Sequence, residues 1–182
     1  AASDVYKRQT TYQIIETKAV LYMVLSDSNT IGLMGLSSFS LPSKQFNVGY
    51  VEMAFNASFD TGEGILKVQA QLTDASYLFD KNCRLTGGFA LVSWFKRGEF
   101  LFSLGGYHPK FKAPNYYPVV PRLGFNWKPI SKLTIKGEAY FTICSSAVML
   151  GGSYAAIFKA GRLSASFNAG VDVLVVFDPF FY

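Results

Sequence analysis

The sequence predicts an all-β fold of long antiparallel strands in a hairpin meander, forming a curved sheet, a sandwich or a partly open barrel. Three observations carry that expectation. Apolar and polar residues alternate with a period of two along most of the chain, which gives each strand one oily and one polar face. Aromatic residues make up 16% of the chain, with 17 Phe and 11 Tyr, and such side chains suit a pleated surface. Short Gly-bearing connections separate the alternating runs, as hairpins require. No segment shows a 3.6-residue apolar stripe with caps at both ends, so little or no α-helix is expected.

Taken in order, residues 1–9 read as a translated sequencing adaptor and are set aside. They carry Asp4, Lys7 and Arg8, a net of +1, so the remainder is nearer +4 than the +5 of the whole chain. Residues 10–182 read as one β-rich domain cut from a longer protein. The first strands are expected over residues 12–25 and 31–39, with a turn at Ser26, Asp27, Ser28 and Asn29. Val51, Met53, Phe55, Ala57 and Phe59 then share one face, and Leu66, Val68, Ala70 and Leu72 answer them across a turn from Asp60 to Gly64. A second hairpin spans residues 84–95 and 99–105 around Lys96, Arg97 and Gly98. Leu133, Ile135, Gly137, Ala139, Phe141 and Ile143 mark another strand. A last hairpin joins residues 149–158 to 163–177 through Lys159, Ala160 and Gly161, and its final run is long enough to predict a bend or bulge near Gly170. Residues 107–121 break the rhythm with four prolines, which exclude a central strand.

Charge is sparse. Charged residues are 16% of the chain, against about 25% in ordinary domains. No run of Lys and Arg forms a stripe, so no nucleic-acid partner is expected. No secretory leader is visible and no apolar run nears the ~20 residues of a membrane helix. Cys83 and Cys144 are far apart and read as two half-buried free thiols. The compartment is not legible.

Candidate chemistry is thin. His108 is the one histidine, so any Ser-His-Asp triad would have to use it. There is no C-x-x-C, no H-E-x-x-H and no EF-hand loop, so neither metal nor cofactor is expected. Asp60 and Glu63 share a turn and read as solvated charges. Glu138, Asp172 and Asp178 are the carboxylates from which an acid and base pair could be drawn, though nothing in their spacing brings two together. Glu138 reads more simply as a partner in a cross-strand salt link beside Lys136. Gly32, Gly35, Gly105 and Gly106 read as bulges or close backbone approaches. Asn56-Ala57-Ser58 fits the glycosylation pattern but lies inside a strand. No catalytic residue is assigned. The best binding candidate is the Pro-rich loop, where His108, Lys110, Lys112, Tyr116, Tyr117 and Arg122 interleave cations with rings suited to sugars or anions. The alternative is that Phe111, Tyr116 and Tyr117 pin the loop over an open sheet end.

Several blocks resemble a known family. They are Phe89-Ala90-Leu91-Val92-Ser93-Trp94-Phe95; Leu104-Gly105-Gly106-Tyr107-His108-Pro109-Lys110-Phe111; Tyr117-Pro118; and Pro121-Arg122-Leu123-Gly124-Phe125-Asn126-Trp127. Ile135 to Phe141 and Ser146 to Met149 look like its next block. The family is the β-rich domain of unknown function 6603 of large bacterial and fungal proteins, and the likeness runs from about Phe46 to Tyr182. It implies an internal piece of a longer polypeptide and supplies no catalytic residues. Family members continue beyond Phe180-Phe181-Tyr182, so a missing strand would leave an edge open.

Four functions fit these features in decreasing order. The first is a non-catalytic structural or binding scaffold whose partner is the rest of its own polypeptide. The second is a carrier with a groove for a lipid or other hydrophobic ligand. The third is a segment of an outer-membrane-type barrel. The last is an enzyme acting on a glycan through His108 or Glu138.

Overall fold

A computed structural model describes residues 15–25, 29–43 and 46–177. The adaptor-like start, the turn residues 26–28, Asp178 and the terminal aromatics lie outside the described residues. Twelve strands follow one another: β1 (Ile15–Val24), β2 (Thr30–Ser43), β3 (Phe46–Asp60), β4 (Ile65–Leu72), β5 (Tyr77–Leu78), β6 (Asp80–Thr86), β7 (Gly88–Trp94), β8 (Glu99–Leu104), β9 (Leu123–Ile130), β10 (Leu133–Cys144), β11 (Ala147–Ala160) and β12 (Leu163–Val176). All belong to a single antiparallel sheet. Among the described residues no helix occurs and no second sheet is stacked on the first.

The pairing looks branched, because β3 pairs with both β4 and β5, and β10 with both β8 and β9. Register resolves it into nine strand positions. Leu72 faces Met53 and Tyr77 faces Tyr50, so β4 and β5 lie along one line with a bulge between them. Glu52 anchors that bulge: its carbonyl accepts from the Thr73 N–H at 2.8 Å and the Ser76 hydroxyl at 3.0 Å. Its carboxylate accepts from the Thr73 hydroxyl at 2.7 Å and the Tyr50 hydroxyl at 3.0 Å. The chain runs from β6 into β7 with only Gly87 between them.

The sixth position is the unusual one. Phe89 faces Leu104, and Leu85, four residues earlier, faces Phe125 where an unbroken strand would place residue 108. Phe141 faces Leu104, and Ala139 faces Leu123 where residue 106 would stand. Both registers show the same 17-residue excess. Strands β8 and β9 are therefore two halves of one strand position, and the Pro-rich segment is looped out of its middle.

Paired residues share a face, so the registers sort every strand residue into one of two faces. Val92, Trp94, Leu101, Tyr140, Cys144, Ala147 and Met149 form the buried core and all lie on the face the excursion covers, called here the loop face. Tyr107, Phe111 and Tyr117 of the excursion pack on them. The opposite, open face takes apolar residues from every position, including Leu21, Leu33, Phe55, Val68, Phe89, Phe102, Phe141, Leu150 and Val173. Phe89, Phe102 and Phe141, on three neighbouring strands, form a ladder of rings with centroids 5.6 and 6.2 Å apart, as cross-strand aromatics do.

Three expectations need correction. The run at 84–95 is two strands, because its ends serve different neighbours: β6 pairs with β9, and β7 with β4 and β8. The last strand does not bulge at Gly170. It pairs in unbroken register with an equally long β11, so its length needs no bend. The glutamate at 138 has Gly124 and Ser153 as cross-strand neighbours, neither of them a cation.

Candidate functional site

The excursion leaves and rejoins the sheet through a neck built for close approach. Gly105 and Gly106 have φ of 72° and 83°, a region that penalises a Cβ. A side chain at Gly105 would strike the Ala139 carbonyl and the Leu123 amide, and one at Gly106 the Val120 carbonyl. Arg122 closes the neck: its two guanidinium NH2 groups donate to the carbonyls of Gly105 and Tyr107, each at 3.0 Å. The same guanidinium lies 4.1 Å from the Tyr140 ring centroid, a cation–π geometry. Beneath, the fully buried Thr142 Oγ1 lies 2.7 Å from both Ser103 Oγ and the Gly106 carbonyl oxygen.

The six loop residues singled out from sequence part into two groups. His108 is buried, its Nδ1 accepts from the Lys110 N–H at 3.0 Å, and its ring meets Tyr140 edge-on. Tyr117 stacks on Trp94 at 5.3 Å with rings 13° apart. Arg122 holds the neck. Those three fasten the loop. Tyr116 sits at the rim, donating to Glu99 at 2.8 Å under the Arg97 guanidinium. Lys110 and Lys112 are exposed on top. The excursion leaves from mid-strand, and its Tyr116 and Tyr117 reach Trp94, Arg97 and Glu99 at the turn end of β7 and β8.

Burial sets the titration of the tyrosines. It pushes the Tyr107 and Tyr117 phenols far up. Tyr140 is pushed up to about 12, by burial first, then by its hydrogen bond to the Asp172 carboxylate at 2.7 Å. Both cysteines are free and fully buried rather than half-buried: Cys144 lies in the core under the loop, and burial raises the Cys83 thiol.

Two hollows flank the loop. The smaller, about 130 Å3, is lined by Pro109, Arg122, Glu138, Tyr140, Ser153 and Asp172 among others. It gathers two of the carboxylates that spacing alone gave no reason to unite. Gly151 permits this, since a Cβ there would meet the Tyr140 ring and the Asp172 carboxylate. Asp172 is engaged by Tyr140, and no third His, Cys, Asp or Glu completes a metal group among the described residues. Asp60, the other turn carboxylate, accepts the Glu63 N–H at 2.8 Å and so shapes its own turn. The larger hollow, about 670 Å3, lies on the other flank over β1 to β4 and ends against Val119 and Pro121. Sequence reading missed it, because its lining comes from six separate stretches of chain.

Fold and site together define a class: a single-sheet, all-β module whose core is closed by a loop excised from one strand. The family comparison agrees. A family model, described as a family of unknown function (DUF6603), matches residues 6–182, so the chain belongs to that family. The match extends further toward the N-terminus than the blocks that first suggested it. Searches of curated proteins and of solved structures find no match.

Proposed function

We propose that this chain is a non-catalytic structural module of a longer β-rich protein, with its open face as the docking surface for other parts of that protein. The observation that carries the reading is the predominantly apolar character of that face, interrupted by small polar residues such as Thr17, Ser37 and Ser93. Nine strand positions ~4.8 Å apart and at least ~20 Å long present roughly 800 Å2. The largest patch on an ordinary monomer is about 300–600 Å2. Phe141, Leu150 and Val173 on three adjacent strands are 40%, 43% and 39% exposed, so the face is neither a finished core nor a normal surface. The titratable groups around the loop support the same reading: His108, Arg122, Tyr140 and Asp172 hold one another or the loop.

The test is to make residues 10–182 without detergent and compare them with a variant carrying Phe141→Lys, Leu150→Lys and Val173→Lys. The expected result is a sheet-rich wild type that self-associates and binds an apolar dye, and a variant that is monomeric and dye-silent. A wild type that is monomeric and dye-silent would overturn the reading. Recovery of folded wild type only in detergent would replace it with the barrel-wall alternative.

A further inference from the structure

The larger hollow is a furrow with a definable chemistry. Ala19, Gly35, Phe55, Ala70 and Phe89 are paired in one row across β1, β2, β3, β4 and β7. Their side chains point to the open face, so to the loop face they offer only backbone already satisfied by the ladder. On either side stand two rows of loop-face side chains: Lys18, Leu36, Ala54 and Gln71 on one bank, Val20, Met34, Asn56 and Gln69 on the other. Val119 and Pro121 close the inner end.

The distribution along this furrow is uneven. Val20, Met34 and Leu36 are 40%, 45% and 46% exposed, and Val119, held out by a loop whose next residue is buried, is 90% exposed. Four apolar side chains from three elements, β1, β2 and the loop, thus face one space and leave it unfilled. Lys18 is the cation at the outer mouth. Glu16 and Glu52 stand one row further out, and both carboxylate oxygens of Glu52 already accept hydroxyls from Thr73 and Tyr50. From β1 to β7 the floor runs roughly 19 Å, four strand spacings. A volume of about 670 Å3 lies within the ~300–1,000 Å3 of small-molecule sites.

We propose that the furrow binds a long-chain fatty acid, with its alkyl chain laid across β1 to β4 between Met34 and Leu36, its end against Val119, and its carboxylate at Lys18. A chain one alkyl group wide fits a trough floored by paired backbone, which excludes a two-chain lipid or a bulky ring. The inference is independent of the open-face reading, since the two surfaces are on opposite sides of the sheet.

The test is photocross-linking of the whole 182-residue chain with palmitate carrying a diazirine in its tail, followed by peptide mapping. Adducts are expected on residues 18–20, 34–36 and 119–121, displaced by unlabelled palmitate. In Met34→Asp these adducts should fall about tenfold or more, because the tail would lie against a charge. Lys18→Gln should weaken palmitate about threefold, the scale of an exposed ion pair, and leave the matching fatty alcohol unchanged. Adducts on Phe141, Leu150 or Val173 would overturn the proposal and show that the open face takes the lipid. Labelling that does not saturate, or that Met34→Asp leaves intact, would overturn it too. An equal effect of Lys18→Gln on acid and alcohol would remove the carboxylate from the assignment.

Discussion

Phe100 and Leu101 are neighbours in β8, and Met149 and Leu150 are neighbours in β11. Leu101 and Met149 are 0% exposed, while Phe100 and Leu150 are 42% and 43% exposed. Backbone, strand and residue class are alike within each pair; only the face differs. On one face a looped-out segment supplies the second layer that a sheet needs to bury a side. On the other, nothing among the described residues does. The alternation along each strand therefore sorts residues between two faces, and burial depends on what another stretch of chain lays over them.

That contrast can be broken most forcefully from the covered side. Trp94→Ala removes the ring under Tyr116 and Tyr117 and should destabilise the chain by about 3–5 kcal/mol, read from urea unfolding. Phe100→Ala, one strand over on the open face, should cost far less in the same experiment. Equal losses would mean that the faces are not different. Thr142→Val keeps the shape beneath the neck but deprives the Gly106 carbonyl and Ser103 of a buried partner, and should cost about 1–3 kcal/mol.

Alkali sharpens the comparison. Tyr140 titrates at about 12 when folded, and Tyr107 and Tyr117 are raised further, from an ordinary 10.0. A raised folded value means the unfolded chain gives up these protons first. The stability they contribute is complete below pH 10 and is lost as pH climbs through the folded values. Absorbance at alkaline pH should show Tyr107, Tyr117 and Tyr140 ionising only with unfolding. Ionisation of these three while the chain is still folded would contradict the covered core. At the small end, Lys110→Ala and Lys112→Ala should shift stability by no more than about 0.5 kcal/mol, since both stand on top of the loop.

Much of this architecture was legible in local sequence. The alternations of Val51 to Phe59, Leu66 to Leu72, and Leu133 to Ile143 each became a strand with the expected faces, and the two hairpins at Gly98 and Gly161 closed as expected. The tandem glycines before the loop are the close approach they resembled. What escaped was relational. Leu123, Phe125 and Trp127 alternate as a strand should, yet Pro129 and the preceding proline run disguise β9. That it completes β8 is a fact of register with β7 and β10, not of composition. The loop's rings announced packing, but where they pack depends on a mid-strand exit that no local pattern encodes. The furrow was invisible for the same reason: Lys18, Met34, Asn56, Gln69 and Val119 meet only once five stretches of chain are placed.

The excursion buries the middle of one face, around β7, β8, β10 and β11, while the other face stays open. The chain's four methionines test this in one experiment. Met149 is fully buried beneath the loop, Met23 and Met34 are 59% and 45% exposed, and Met53 lies half-buried on the open face. Dilute peroxide followed by peptide mass spectrometry would rank their oxidation, which follows access to the thioether. The prediction is fast oxidation at Met23 and Met34, an intermediate rate at Met53, and protection of Met149 until the protein unfolds. Oxidation of Met149 as fast as Met23 would show that the loop does not cover the core. Met23 and Met53 protected as well as Met149 would show that the open face is covered after all.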